Sequence, residues 1–234
     1  MLEQSLKNNI KENTITPENK IKNGVDFVFE QNTELSQIGS KEQYSEYLDT
    51  IFPDTKIKNI VYHSTSALFE NYDIDKGDLG MHFSPKNVSS GILYSQYTKA
   101  NLINLKTPLY FTDFGSFHFR MAGEKFVKTN IINEDEFLKI DKMNLSIKEE
   151  DKLLRELLLS KGYDGMLYLN RREGINGGIL NGFDSYKDRN LNDAQFKEKY
   201  PDASESYIAF KSEQIHILGS RQNIEGFKKF VSKK

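Results

Sequence analysis

The residues of this chain that could do chemistry together lie mostly between Asn59 and Tyr97, in NIVYHSTSALFENYDIDKGDLGMHFSPKNVSSGILYSQY. Ile60-Val61-Tyr62 is β-branched and aromatic, which suits a strand. It runs into His63-Ser64-Thr65, three side chains that donate or accept hydrogen bonds where that strand is expected to stop. A polar loop with Gly77 and Gly80 leads to a second apolar stretch, Met81-His82-Phe83. After Ser84-Pro85, a helix-like segment from Asn87 to Tyr97 brings Tyr94 and Tyr97 back toward the strands. An imidazole offers two distinct nitrogens, one to donate and one to accept. Two aromatic rings such as Phe83 and Tyr94 can flank a flat cation, and Ser89, Ser90 and Gly91 leave room for close approach.

Other chemistries are disfavoured. There is no cysteine, hence no thiol nucleophile and no disulfide framework. His63, His82, His118 and His216 show no HxxxH or HxxE spacing, so no metal is expected. With 32 basic and 34 acidic side chains the formal net charge is -2, and bulk charge does not call for nucleic acid as an obligatory partner.

The elements that must position these residues can be read along the 234 residues. Residues 1–40 are polar, with scattered apolar positions, and read as a partly ordered arm that packs Phe27 and Phe29 on the body. Ser40 with Gln43 is a capping box for a helix over about 41–51, with Tyr44, Tyr47, Leu48 and Ile51 on one face, stopped at Pro53. Ile57 to His63 is the first predicted strand. Asn101 to Tyr110 reads as a strand and then a corner at Pro108. Residues 111–145 are aromatic without a clear period, with a short helix or strand around Phe137, Leu138 and Ile140. Ser146 and Glu149 cap a helix with a buried stripe of Leu153, Leu154, Leu157 and Leu158, closed by Gly162. Strands follow at 165–170, 207–210 and 214–218, separated by a loop-like stretch over 171–203, and a helix over 223–234 ends the chain. The fold class is α+β.

The order His-Ser-Thr, Gly-x-His-Phe-Ser, Tyr94, then Tyr207-Ile208-Ala209-Phe210 and Glu213-Gln214-Ile215 resembles the ADP-ribosyltransferase superfamily of diphtheria toxin and the poly-ADP-ribose polymerases. More narrowly it is similar to the transferase domains of large polyvalent proteins of phages and mobile elements. The likeness covers roughly residues 57–220 and includes the Gly162-Tyr163-Asp164-Gly165 turn. It implies two small, roughly orthogonal β-sheets flanked by helices with an NAD cleft between them, in a domain over 41–234. It implies an NAD-dependent mono-ADP-ribosyltransferase of toxin or effector type that moves ADP-ribose to a protein or nucleic-acid acceptor and releases nicotinamide. An NAD glycohydrolase, or an inactive NAD- or protein-binding module of the same fold, are the alternatives.

By this resemblance Tyr62, His63, Ser64, Thr65 and Gly80 belong to the NAD-binding set, with the imidazole holding the adenosine ribose. Phe83 and Tyr94 sandwich nicotinamide. A carboxylate stabilises the oxocarbenium-like transition state. The superfamily places it directly before the Tyr-Ile run, where this chain has Ser206. Glu205 lies one position earlier, where strand alternation would turn it to the other face. Glu173, in a Gly- and Asn-rich loop, is preferred because loop freedom can bring it to a ligand, and Gln214 is a third candidate. His63, Tyr94 and Glu173 or Glu205 are thus the expected catalytic residues, with Arg171-Arg172 as phosphate or acceptor contacts. No stretch reaches the ~18 apolar residues of a membrane helix, and MLEQSLKNNIKENTITPENK has no signal-type apolar core. A cytoplasmic protein is expected, and delivery into a host cell by a machine that reads no classical signal is compatible with it. Acceptor, target and oligomeric state are not encoded in these motifs.

Overall fold

The computed structural model describes residues 21–85, 96–113, 115–171, 188 and 190–234. Among them are eight α-helices and seven strands, and the fold is α+β with one three-stranded and one four-stranded sheet.

The first sheet has the order β1-β3-β7, with β1 Val61–Thr65, β3 Tyr97–Ile103 and β7 Ile215–Ile217, all antiparallel. The second has the order β2-β6-β5-β4, with β2 Met81–Phe83, β6 Glu205–Ala209, β5 Gly165–Leu169 and β4 Leu109–Tyr110; only β4 and β5 run parallel. One antiparallel bridge, Tyr62 to Ser84, stitches β1 to the end of β2 and so links the sheets. Its two bonds are Tyr62 N–H to the Ser84 carbonyl at 2.8 Å and Ser84 N–H to the Tyr62 carbonyl at 3.0 Å.

Strand alternation then sorts most strand side chains into three cores, beside a smaller cluster of Leu169, Phe196 and Ala203. The outer face of the first sheet, with Tyr62, Ala100 and Leu102, packs on α1 Val25–Gln31, α2 Leu35–Ile38, α3 Lys41–Ile51 and α8 Arg221–Val231. The outer face of the second sheet, with Met166, Tyr168 and Ile208, packs on α4 Phe119–Lys128, α5 Glu134–Asp141 and α6 Ile147–Ser160. The inner faces meet in a third core, where Val61 and Ile103 of the first sheet join Met81, Phe83, Tyr207 and Ala209 of the second.

Several expected elements form as the residues demand. The Ser40–Gln43 box closes with bonds of 2.9 and 3.3 Å, and the Ser146–Glu149 box caps α6. Gly162 takes φ +90°, the left-handed conformation expected after α6. The strands β5 and β7 fall within the stretches expected for them, and β6 begins two residues earlier than expected, at Glu205.

Four readings change. The boundary at residue 40 cuts through the helical layer, because Val25 and Leu35 are fully buried there; residues 1–20 lie outside the described residues. The first strand begins at Val61, not Ile57, so His63, Ser64 and Thr65 lie within it. Tyr97 opens β3 instead of ending a helix. The stretch expected as loop over 171–203 contains α7 Asp193–Lys199, capped by Asn192 and Gln195 and anchored by the buried Phe196.

No helix among the described residues is long and apolar enough to cross a membrane.

Candidate active site

Within β1, alternation divides the predicted ligand set. Val61 is in the inner core and His63 follows it on that face, whereas Tyr62 faces the helices, 4% exposed, its ring edge-on to Phe27 at 5.3 Å. Tyr62 is therefore a core residue and not a ligand contact. Ser64 shares its side of the strand. Thr65 returns to the His63 side, and its hydroxyl accepts the Ala67 N–H at 3.1 Å, closing the turn after β1.

His63 is fixed in ring orientation and tautomer. Its Nδ1 lies 2.9 Å from the His82 carbonyl, which can only accept, so Nδ1 carries the proton and Nε2 is left as an acceptor. Tyr72 stands edge-on at 5.3 Å, and Phe83 at 5.9 Å and Phe69 at 6.3 Å are tilted against the ring. This apolar wall lowers the imidazole pKa from its ordinary 6.5 by desolvation, and His82 and Lys99 lower it further against the His82 carbonyl bond. The ring is neutral at pH 7. Lys99, its cross-strand partner on β3, donates to the Phe69 carbonyl at 2.8 Å and lies 4.6 Å from that ring's centre. Lys99 is a cation beside the imidazole that sequence reading missed, since the strand was expected to begin at Asn101.

Phe83 and Gly80 play structural parts. Phe83 is 2% exposed and packs on Tyr72 at 5.5 Å as well as on His63, so it backs the imidazole and offers no open ring face for a nicotinamide. A Cβ on Gly80 would stand 2.4 Å from the Ala209 carbonyl. The glycine there admits β6, not a ligand. Tyr94 lies outside the described residues.

The carboxylate question turns on the facing of β6. Ile208 and Phe210 belong to the helix-covered core and Tyr207 and Ala209 to the inner one. Ser206 accordingly points away from the inner face, 2% exposed, and its Oγ accepts a hydrogen bond from Asn170. Glu205 stands on the Tyr207 side, with Tyr207 directly opposite Phe83. The expectation that alternation turns Glu205 away is corrected: alternation itself puts it on the inner side, without a bulge. Although the residue keeps solvent access, surrounding protein raises its carboxyl pKa from 4.5 by desolvation, opposed by Lys197.

Gln214 is excluded as a substitute. It is 7% exposed and spends its whole amide on backbone: Oε1 accepts from the Phe210 and Lys211 N–H groups, and Nε2 donates to the Asn104 and Asp164 carbonyls. Arg171 is likewise internal, engaged with Asp193, the Leu191 carbonyl and the Phe196 ring. Glu173 and Arg172 lie outside the described residues.

No family model, curated protein or solved structure matches the chain. The site is therefore read from its own geometry.

A second polar group adjoins it, made by residues too far apart in sequence to form a motif. His118 Nδ1 faces Asp151 at 2.8 Å and Nε2 faces Asp78 at 3.2 Å. One ligand atom from each of the three lies within 4.8 Å of the others. The carboxylates, however, face different ring nitrogens, so an ion on Nε2 would leave Asp151 behind the ring. The set fits a protonated imidazole held from both sides. Burial lowers the His118 pKa, but the Asp151 hydrogen bond and the charges of Asp78 and Asp151 outweigh it and raise it above 6.5.

Proposed function

We propose that the protein is an NAD-dependent ADP-ribosyltransferase in which His63 and Glu205 work from the facing inner sides of the two sheets. The observation that carries this reading is the joint placement of a neutral, tautomer-locked His63 and of Glu205 on the inner faces, the strands bearing them linked by the Tyr62–Ser84 bridge and the Phe83–Tyr207 pair.

An imidazole locked with Nε2 unprotonated accepts a ribose hydroxyl proton, and Lys99 beside it supplies positive charge of the kind a pyrophosphate needs. In the reaction the bond from the ribose anomeric carbon to the nicotinamide nitrogen breaks. Its electron pair leaves with nicotinamide, and an acceptor nucleophile bonds the same carbon and gives up a proton. Positive charge grows on the ribose as the bond breaks, and an ionised Glu205 stabilises it.

The experiment is incubation with NAD labelled in the adenylate half, with and without cell lysate. Nicotinamide release with label on a macromolecule is the expected result. Release with all label in free ADP-ribose makes water the acceptor. Absence of both nicotinamide release and calorimetric NAD binding overturns the reading.

A further inference from the structure

We infer that His118 is a positioning residue for His63, acting through Asp78 and His82 along hydrogen bonds joined by the backbone of residues 78–82. The path starts on α6, where Asp151 accepts the Phe119 N–H at 2.6 Å with one oxygen and faces His118 Nδ1 at 2.8 Å with the other. His118 Nε2 then meets the Asp78 carboxylate at 3.2 Å. The Asp78 main-chain carbonyl accepts from His82 Nε2 at 2.9 Å, and the His82 carbonyl accepts from His63 Nδ1 at 2.9 Å. The Asp78 and His82 carbonyls each allow only one tautomer in the ring that donates to them, and the backbone of residues 78–82 carries the position of one link to the next.

The Asp78 link is the one that depends on charge. The two carboxylates together need two N–H donors, which imidazole has only when protonated. One helical turn beyond Asp151, Arg155 holds the same loop by its other end, through Asp75 and the Leu79 carbonyl. Leu79 sits at φ +59°, a conformation costly for leucine, which the two anchors must hold. The charged groups facing His118 are Asp78 from the loop before β2 and Asp151 from α6. Arg155 is occupied by Asp75, and Arg120 on α4 lies 3.7 Å from Glu150. Burial and Lys99 push His63 titration below 6.5 while the carboxylates push that of His118 above it, so the two midpoints lie on opposite sides of 6.5.

The functional half of this inference rests on the ADP-ribosyltransferase reading; the structural half does not. Histidine ring nitrogens are followed by long-range proton–nitrogen NMR on labelled protein without NAD. In the wild type, His63 is expected in the Nδ1–H tautomer at neutral pH, and its ring nitrogens shift in step as pH rises through the His118 titration. In His118→Gln and in Asp78→Asn the segment before β2 loses an anchor and the His82 carbonyl shifts from His63 Nδ1, so His63 is expected to become a mixture of tautomers already at neutral pH. The wild-type titration needs no variant, and Asp78→Asn alters a half-exposed side chain, so a folding failure of the first variant leaves the test intact. His63 shifts indifferent to the His118 titration, or a locked His63 in Asp78→Asn, overturn the path. In nicotinamide release, Asp78→Asn should raise KM for NAD severalfold with kcat unchanged. A fall in kcat alone overturns positioning. If the wild type releases no nicotinamide while the NMR coupling holds, the assigned function fails and the path stands.

Discussion

Asn170 on the segment leaving β5 donates to Ser206 on β6 at 3.0 Å, and both side chains are buried on the helix-covered side of the second sheet. This contact settles the facing of β6. Ile208 and Phe210 look toward α4–α6 and Tyr207 and Ala209 toward the first sheet, and alternation puts Glu205 on the side of Tyr207.

If the proposed transferase function holds, Glu205→Gln should lower the rate of nicotinamide release by ~10²–10³, the usual loss when a charge-stabilising group is removed. NAD affinity should change little, because the charge it stabilises develops only in the transition state. The same single-turnover assay on Glu173→Gln is the control. A loss of that size there and a small one at Glu205 would transfer the role to the loop.

For His63 the expected effect is on binding. On the proposed reading His63→Ala removes one hydrogen bond to NAD, worth about 0.5–1.5 kcal/mol net, so the NAD dissociation constant should rise roughly two- to tenfold. It also strands the His82 carbonyl, which lowers the urea midpoint independently. Calorimetry on folded protein separates the two. Unaltered NAD affinity would mean that the ring does not touch the ligand.

Helices and strands were legible in the sequence where a local device announces them. Ser40 with Gln43 and Ser146 with Glu149 mark helix starts, and QIHIL alternates as a strand should. α7 was missed because its cap, Asn192 with Gln195, sits among turn-forming Asn, Asp and Gly residues that mask it. The site was half legible. His63 and the strand carrying Glu205 could be found by type and order, but the face each takes depends on which side of a sheet meets the other sheet, and no single strand encodes that. Phe83 and Tyr62 were misread for the same reason. The Asp78–His118–Asp151 group joins three separate elements and left no spacing to detect.

Gln214 gives a test of stability alone. Gln214→Leu keeps the volume roughly constant and strands two N–H groups and two carbonyls at the β6–β7 connection. At about 1–3 kcal/mol for a stranded group, with some regained by water, the cost should be about 2–4 kcal/mol. It should appear as a lower urea midpoint with an unchanged slope. A cost under about 1 kcal/mol would show that the amide is not the clasp its four bonds imply.

The histidines predict a stability profile with two opposed limbs. His63 and His216 have pKa values lowered by burial, so the unfolded chain binds their protons more readily. Their contribution is present above 6.5 and is lost as pH falls through their folded values. His118 has the opposite sign: raised in the fold, it contributes fully below 6.5 and loses that contribution as pH rises through its folded value. His118→Gln should thus be destabilised relative to wild type most strongly at mildly acidic pH, with the difference shrinking at alkaline pH. His216→Asn should narrow the acid-side loss instead. Urea midpoints for the three proteins across that range give the comparison. A His118→Gln difference that stays constant with pH would show that the ring holds Asp78 and Asp151 without carrying a charge.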